Sequence, residues 1–180
     1  MLKRFAAIFL VVLSLSLQSC ISTASGLKSY VNSYEGYEFL YPNGWVPVEV
    51  SDGPDVVFHD LIEPTENVSV IISDVPDGQS LEDLGSPSEV GQRLAQGSTA
   101  ASSERQAELV NAESRTSTKN NTTYYLLEYA VQLPNQSRHN LASVAVRRNK
   151  LFTFNISTTE RRWSKVKEKF RQVVSSFSVY

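Results

Sequence analysis

The chain has 180 residues, of which 41% are hydrophobic and 20% charged, and its formal net charge is -2. One ordinary domain fits that length, and about two-thirds of the unfolded surface can be buried at this size. A single cysteine, Cys20, excludes disulfide scaffolds and Cys-rich zinc modules, and the net acidity gives nucleic-acid binding no support.

Lys3 and Arg4 precede an apolar run from Phe5 to Leu17. The run is shorter than the ~20 residues a membrane span needs, and it matches a signal-peptide core. Leu17-Gln18-Ser19-Cys20 follows and resembles a bacterial lipobox. That resemblance implies cleavage before Cys20 and transfer of a diacylglycerol to its thiol. Gln18 departs from the small residue usual at its position. A plain secretory signal cut near Ala24 is the alternative. Residues 1–19 are expected to be a signal peptide, residues 20–33 a lipidated tether, and residues 34–180 the domain. A lipid on Cys20 would hold the chain to a membrane without spanning it.

Tyr37, Phe39 and Tyr41 alternate as on a strand, and Pro42-Asn43-Gly44 turns into a second strand carrying Val46 and Val48. Ser51 to Pro54 reads as a turn. Val56 to His59 reads as a short strand, and Val68, Val70 and Ile72 as the inward face of a fourth. The period then changes. Ser80 with Asp83 reads as a helix cap before Leu81 and Leu84, and Ser88 to Ala95 as a further turn or two of helix. Pro87 is expected to separate the two pieces, and Gly97 to Glu104 to be loop. Glu108 to Ser117 is weakly strand-like, whereas Tyr125, Leu127, Tyr129 and Val131 line a clear strand. A hairpin follows. With Arg148-Asn149-Lys150 as a three-residue loop, Val146 faces Phe152, Val144 faces Phe154 and Ala142 faces Ile156. Trp163, Val166, Phe170, Val173 or Val174, and Phe177 form the stripe of a closing amphipathic helix. The order implies an α+β fold with a mainly antiparallel sheet of about six strands covered by helices.

No phosphate-binding loop, dinucleotide fingerprint, HExxH, CxxC or GxSxG occurs. His59 and His139 are the two histidines. His59 adjoins Asp60, but neighbouring strand residues face opposite sides, so the plainer reading of His59 is structural. Gly36, Gly44 and Gly53 read as turn glycines. The Asn-x-Ser/Thr triplets would matter only in a eukaryotic secretory pathway. Basic residues gather at Arg147, Arg148 and Lys150, and again at Arg161, Arg162, Lys165 and Lys169. These groups could dock on acidic protein or lipid surfaces, or simply keep the chain soluble.

Gly36-Tyr37-Glu38-Phe39-Leu40-Tyr41-Pro42-x-Gly44-Trp45 resembles the opening strand motif of the PsbP family, extrinsic proteins of photosystem II. The end is similar too: Arg138-His139, Lys150-Leu151-Phe152, Arg161-Arg162-Trp163 and Val174 to Val179. The resemblance covers roughly Tyr34 to Tyr180 and is weak between Ser73 and Thr123. The lipobox is similar to the cyanobacterial branch, since plant members carry a chloroplast transit peptide.

The resemblance implies an α-β-α sandwich on the lumenal face of the thylakoid membrane. It also implies a non-enzymatic accessory role, docking on photosystem II or its assembly and repair intermediates. The basic residues above are then the expected contact set. Plant members help retain calcium and chloride, but their extended amino-terminal segment has no clear equivalent in Gly26 to Asn32. No cofactor is required. A weak surface site for zinc or manganese is implied at His139 and Glu160, although the expected hairpin register puts Glu160 on the opposite face. Two other readings stand beside this one. The first is an envelope lipoprotein that binds a small ligand or lipid between helix and sheet. The second is a metal-dependent hydrolase around His139 or His59.

Overall fold

The computed structural model describes residues 26–180 except 101–103 and 119; the expected signal peptide, Cys20 and the first six residues of the expected tether lie outside the described residues. Strands β1 (Leu27–Asn32), β2 (Tyr37–Pro42), β3 (Trp45–Val48), β4 (Val56–Asp60) and β5 (Asn67–Asp74) come first. Helix α1 (Pro87–Ala100) is followed by β6 (Gln106–Thr116), β7 (Thr123–Leu133), β8 (Gln136–Arg147) and β9 (Lys150–Thr159). Helix α2 (Glu160–Ser175) and the short β10 (Ser178–Val179) close the chain.

Seven strands form one antiparallel sheet in the order β3-β4-β5-β9-β8-β7-β6, one strand more than expected. β1, β2 and β10 make a second, three-stranded sheet. That small sheet and α2 cover one face of the large sheet, around Phe39, Phe152, Phe154 and Phe170. α1 covers part of the other face, around Val90, Tyr125, Leu127 and Val144. The layering is thus the α-β-α sandwich expected, with one outer layer shared between helix and strands.

The tether reading needs correction for residues 27–32. They pair along their length with β2, from Leu27 opposite Pro42 to Asn32 opposite Tyr37. Asn32 then closes the turn by accepting hydrogen bonds from the amides of Tyr34 (3.1 Å) and Glu35 (3.0 Å). Gly36 sits in that turn at φ +78°, and a Cβ there would run into the Arg148 guanidinium and the Tyr180 carbonyl. Gly36→Ala should therefore cost about 1–3 kcal/mol, read as a lowered urea midpoint. An unchanged midpoint would show that the turn relaxes freely.

The middle also differs. Ser80 and Asp83 do bond as a cap, with the Ser80 amide donating to Asp83 at 2.8 Å, but they close a turn and no helix follows directly. The helix starts at a second box, where Ser86 N donates to Glu89 Oε2 at 2.8 Å. Pro87 is its first residue, where a missing N–H costs nothing, and the helix runs through Gly97 to Ala100.

The hairpin register is off by one from the expected pairing. Arg148 (φ 51°) and Asn149 (φ 58°) form a two-residue turn, so Lys150 pairs with Arg147. Phe152 therefore faces Ala145, Phe154 faces Ser143 and Ile156 faces Leu141. The alternation argument fails because β8 is buried on both faces from His139 through Ala145. With both parities buried, the turn decides the register.

Candidate functional site

His139 lies on β8, opposite Thr158 of β9. Glu160 comes two residues after Thr158, and so follows on the same side; the correct register removes the conflict that the expected one created. Glu160 is the first residue of α2, behind the N-cap Thr159. Its Oε2 stands 2.9 Å from His139 Nδ1. The other ring nitrogen, Nε2, is 2.8 Å from Oε1 of Glu128 on β7. Trp163, one turn into α2, stacks on the imidazole with ring centroids 4.0 Å apart and planes 12° from parallel. Arg171 donates to the remaining Glu128 oxygen at 3.4 Å.

This is a buried ring held between two carboxylates. The His139 side chain is 8% exposed and that of Glu128 10%, whereas Glu160 is 52% exposed. Ionised carboxylates only accept hydrogen bonds, and a neutral imidazole has one N–H to give. If that N–H serves Glu128, a second proton or a metal ion must bridge the Nδ1–Glu160 edge. Two donors each roughly 2.0–2.2 Å from a tetrahedral zinc ion stand about 3.4 Å apart, so the observed 2.9 Å, a hydrogen-bond length, would open by about half an ångström to admit one. Glu128 would then act as the outer carboxylate that fixes the ring. The donor set fits a weakly held divalent ion, and no three metal-ligating side chains converge among the described residues.

Sequence reasoning missed Glu128. It reads as the polar gap between Leu127 and Tyr129, yet β7 is buried on both faces there. A charge inside such a run was the available signal. His59 and Asp60 do not act together. Asp60 Oδ2 accepts from the Trp45 indole at 2.8 Å, and its Oδ1 accepts from the amides of Ile62 and Glu63. Burial alone would raise its carboxyl, but these hydrogen bonds and nearby Arg162 hold it below the ordinary range.

Three of the expected docking residues are engaged within the chain. Lys150 pairs with Glu35 at 2.8 Å, which raises its ammonium above the usual value, and Arg148 donates to the Glu35 carbonyl. Both tie the β8–β9 turn to the β1–β2 turn. Arg162 pairs with the buried Glu66 at 2.6 Å. Arg147, Arg161, Lys165 and Lys169 are exposed. Among the described residues no helix is long and apolar enough to cross a membrane.

The sequence model of the PsbP family matches residues 25–179. CyanoP of Thermosynechococcus vestitus is 52% identical, over the whole of both chains. A photosynthetic NDH subunit of lumenal location from Arabidopsis thaliana is 29% identical, over 84% of this chain and 63% of its own. The solution structure of cyanobacterial PsbP (CyanoP) from Synechocystis superposes with a TM-score of 0.75 at 49% identity, covering 90% of this chain and 98% of that one. The chain belongs to the PsbP family.

Proposed function

We propose that this chain is a non-enzymatic accessory protein of the thylakoid lumen, anchored by lipid on Cys20, that docks on photosystem II or its assembly and repair intermediates. The observation that carries the reading is the end-to-end similarity to CyanoP, at 52% identity with neither chain left over. The lumenal location named for the Arabidopsis relative points the same way. A lipid anchor concentrates the domain at the membrane, so a weak protein contact suffices for docking.

The exposed basic residues Arg147, Arg161, Lys165 and Lys169 are the proposed contacts. Arg148 and Lys150 at the β8–β9 turn, and Arg162 at the other end of β9, spend their hydrogen bonds inside the chain. Reversing the four exposed charges to Glu should lower capture of photosystem II subunits by about tenfold and leave the fold unchanged by circular dichroism. Undiminished capture would remove these residues from the docking account.

His139 and Glu160 would hold the zinc or manganese ion, with Glu128 orienting the ring. Bound there, the ion supplies charge and open coordination positions that water or a partner's carboxylate can fill.

A further inference from the structure

The face of the large sheet opposite α2 is only partly covered. α1 packs over β6 and β7 and leaves the same face of β9 and β5 half-exposed, with the buried Asn140 and Ala142 of β8 between them and the helix. Register fixes what that floor presents. Asn140, Ser157 and Asn67 lie in one row, and Ala142, Asn155 and Ser69 in the next. Between this floor and Leu94 of α1 runs a groove of about 820 Å³. Along β9 it reaches from Leu151 to Ser157, which is about 20 Å at strand spacing.

Among the described residues no aspartate or glutamate lines the groove, but Arg93, Arg105 and Arg138 do. Arg93 has Glu89 close by on its own helix. Among the described residues neither of the other two arginines is bonded to a carboxylate. Arg138 donates to neutral oxygens, those of Ser157, Gln136 and Thr65. The acid nearest in effect, Glu66, is bound by Thr158 and Arg162 on the α2 side. Arg105 Nε is buried without a hydrogen-bond partner among the described residues. Burial, together with the charge of Arg105, holds the Arg138 guanidinium below its ordinary value.

We propose that this groove binds an extended acidic segment of a partner protein. Its carboxylates would meet Arg105 and Arg138, where they would add charge-assisted hydrogen bonds between two like charges. Its peptide units would meet the half-buried side chain of Asn155, which carries both a donor and an acceptor, and the free Oδ1 of Asn67, whose amide donates to the Thr65 carbonyl; Asn140 Oδ1 already accepts from Ser157. Its apolar side chains would lie against Leu94 and Val131. A phosphate ion would use the arginines and leave most of the floor unfilled. Residues 20–25, which precede the domain once the chain is cut before Cys20, contain no acid, so the chain's own amino terminus has no carboxylate to offer. The site is separate from the basic residues proposed to dock on photosystem II, so either can fail alone.

The test titrates the full chain with an eight-residue peptide of alternating glutamate and valine, followed by amide NMR shifts. Shifts confined to Ser69, Asn140, Asn155 and their neighbours are expected. Arg105→Gln should weaken binding about tenfold without lowering the melting temperature. The inference is overturned if those amides stay still, if a control peptide of alternating lysine and valine binds equally well, or if Arg105→Gln has no effect. It is also overturned if inorganic phosphate or phosphatidylglycerol vesicles move the same amides at lower concentration, which would make the occupant a small anion or a lipid headgroup.

Discussion

Phe154→Ala is expected to destabilise the domain by about 3–5 kcal/mol in urea unfolding. The ring is fully buried, with centroids 4.6 Å from Phe39 and 5.1 Å from Phe177. Those partners lie on the small sheet and just past α2, so one side chain joins the large sheet to both parts of the layer that covers it. Its strand neighbour on β8 is the buried Ser143, small enough to leave room for the ring but too small to fill the space if the ring is lost. Val110→Ala, at a side chain 56% exposed, should change stability by no more than about 0.5 kcal/mol. A loss below about 2 kcal/mol at Phe154 would mean that the aromatic cluster does not hold the small sheet to the large one.

The second large effect concerns the carboxylate pair around His139. His139→Ala should cost about 3–5 kcal/mol, because it strands the Glu128 carboxylate in the interior. The only remaining cation at Glu128 in the described structure is Arg171, at 3.4 Å. The stacking on Trp163 is lost as well. Glu160→Gln should change stability by no more than about 1 kcal/mol, since that side chain is half in solvent. Both variants should lose zinc binding in calorimetric titration. Equal stability of the two would contradict the buried-pair account, and zinc affinity surviving Glu160→Gln would remove the metal proposal while leaving the pair.

Much of this arrangement was legible because strong periodicity coincided with one-sided burial. The Trp163–Phe170–Val173 stripe defined α2, and the Tyr37–Phe39 alternation defined β2. β8 was harder, since a strand covered on both faces has no polar parity to set its register. The two left-handed residues at Arg148 and Asn149 set it, and arginine is a poor advertisement for such a turn. β1 escaped notice because Leu27-Lys28-Ser29-Tyr30-Val31-Asn32 alternates weakly, and its burial comes only from docking on β2. α1 was truncated in the reading by Pro87 and Gly97. Its other glycine, Gly91, is there for packing: a Cβ would stand 2.8 Å from the Leu109 side chain. The His139–Glu160 pairing came from family resemblance. Its buried third member, Glu128, is joined to the ring through tertiary packing that no spacing rule reports.

The measurement that bears most directly on the proposed role is capture of the tagged, lipidated chain from thylakoid membranes in mild detergent, followed by mass spectrometry. Cys20→Ala serves as the control. The account predicts enrichment of photosystem II core subunits or assembly intermediates, weakened when the lipid is lost. Recovery of unrelated envelope proteins without photosystem II subunits would contradict it.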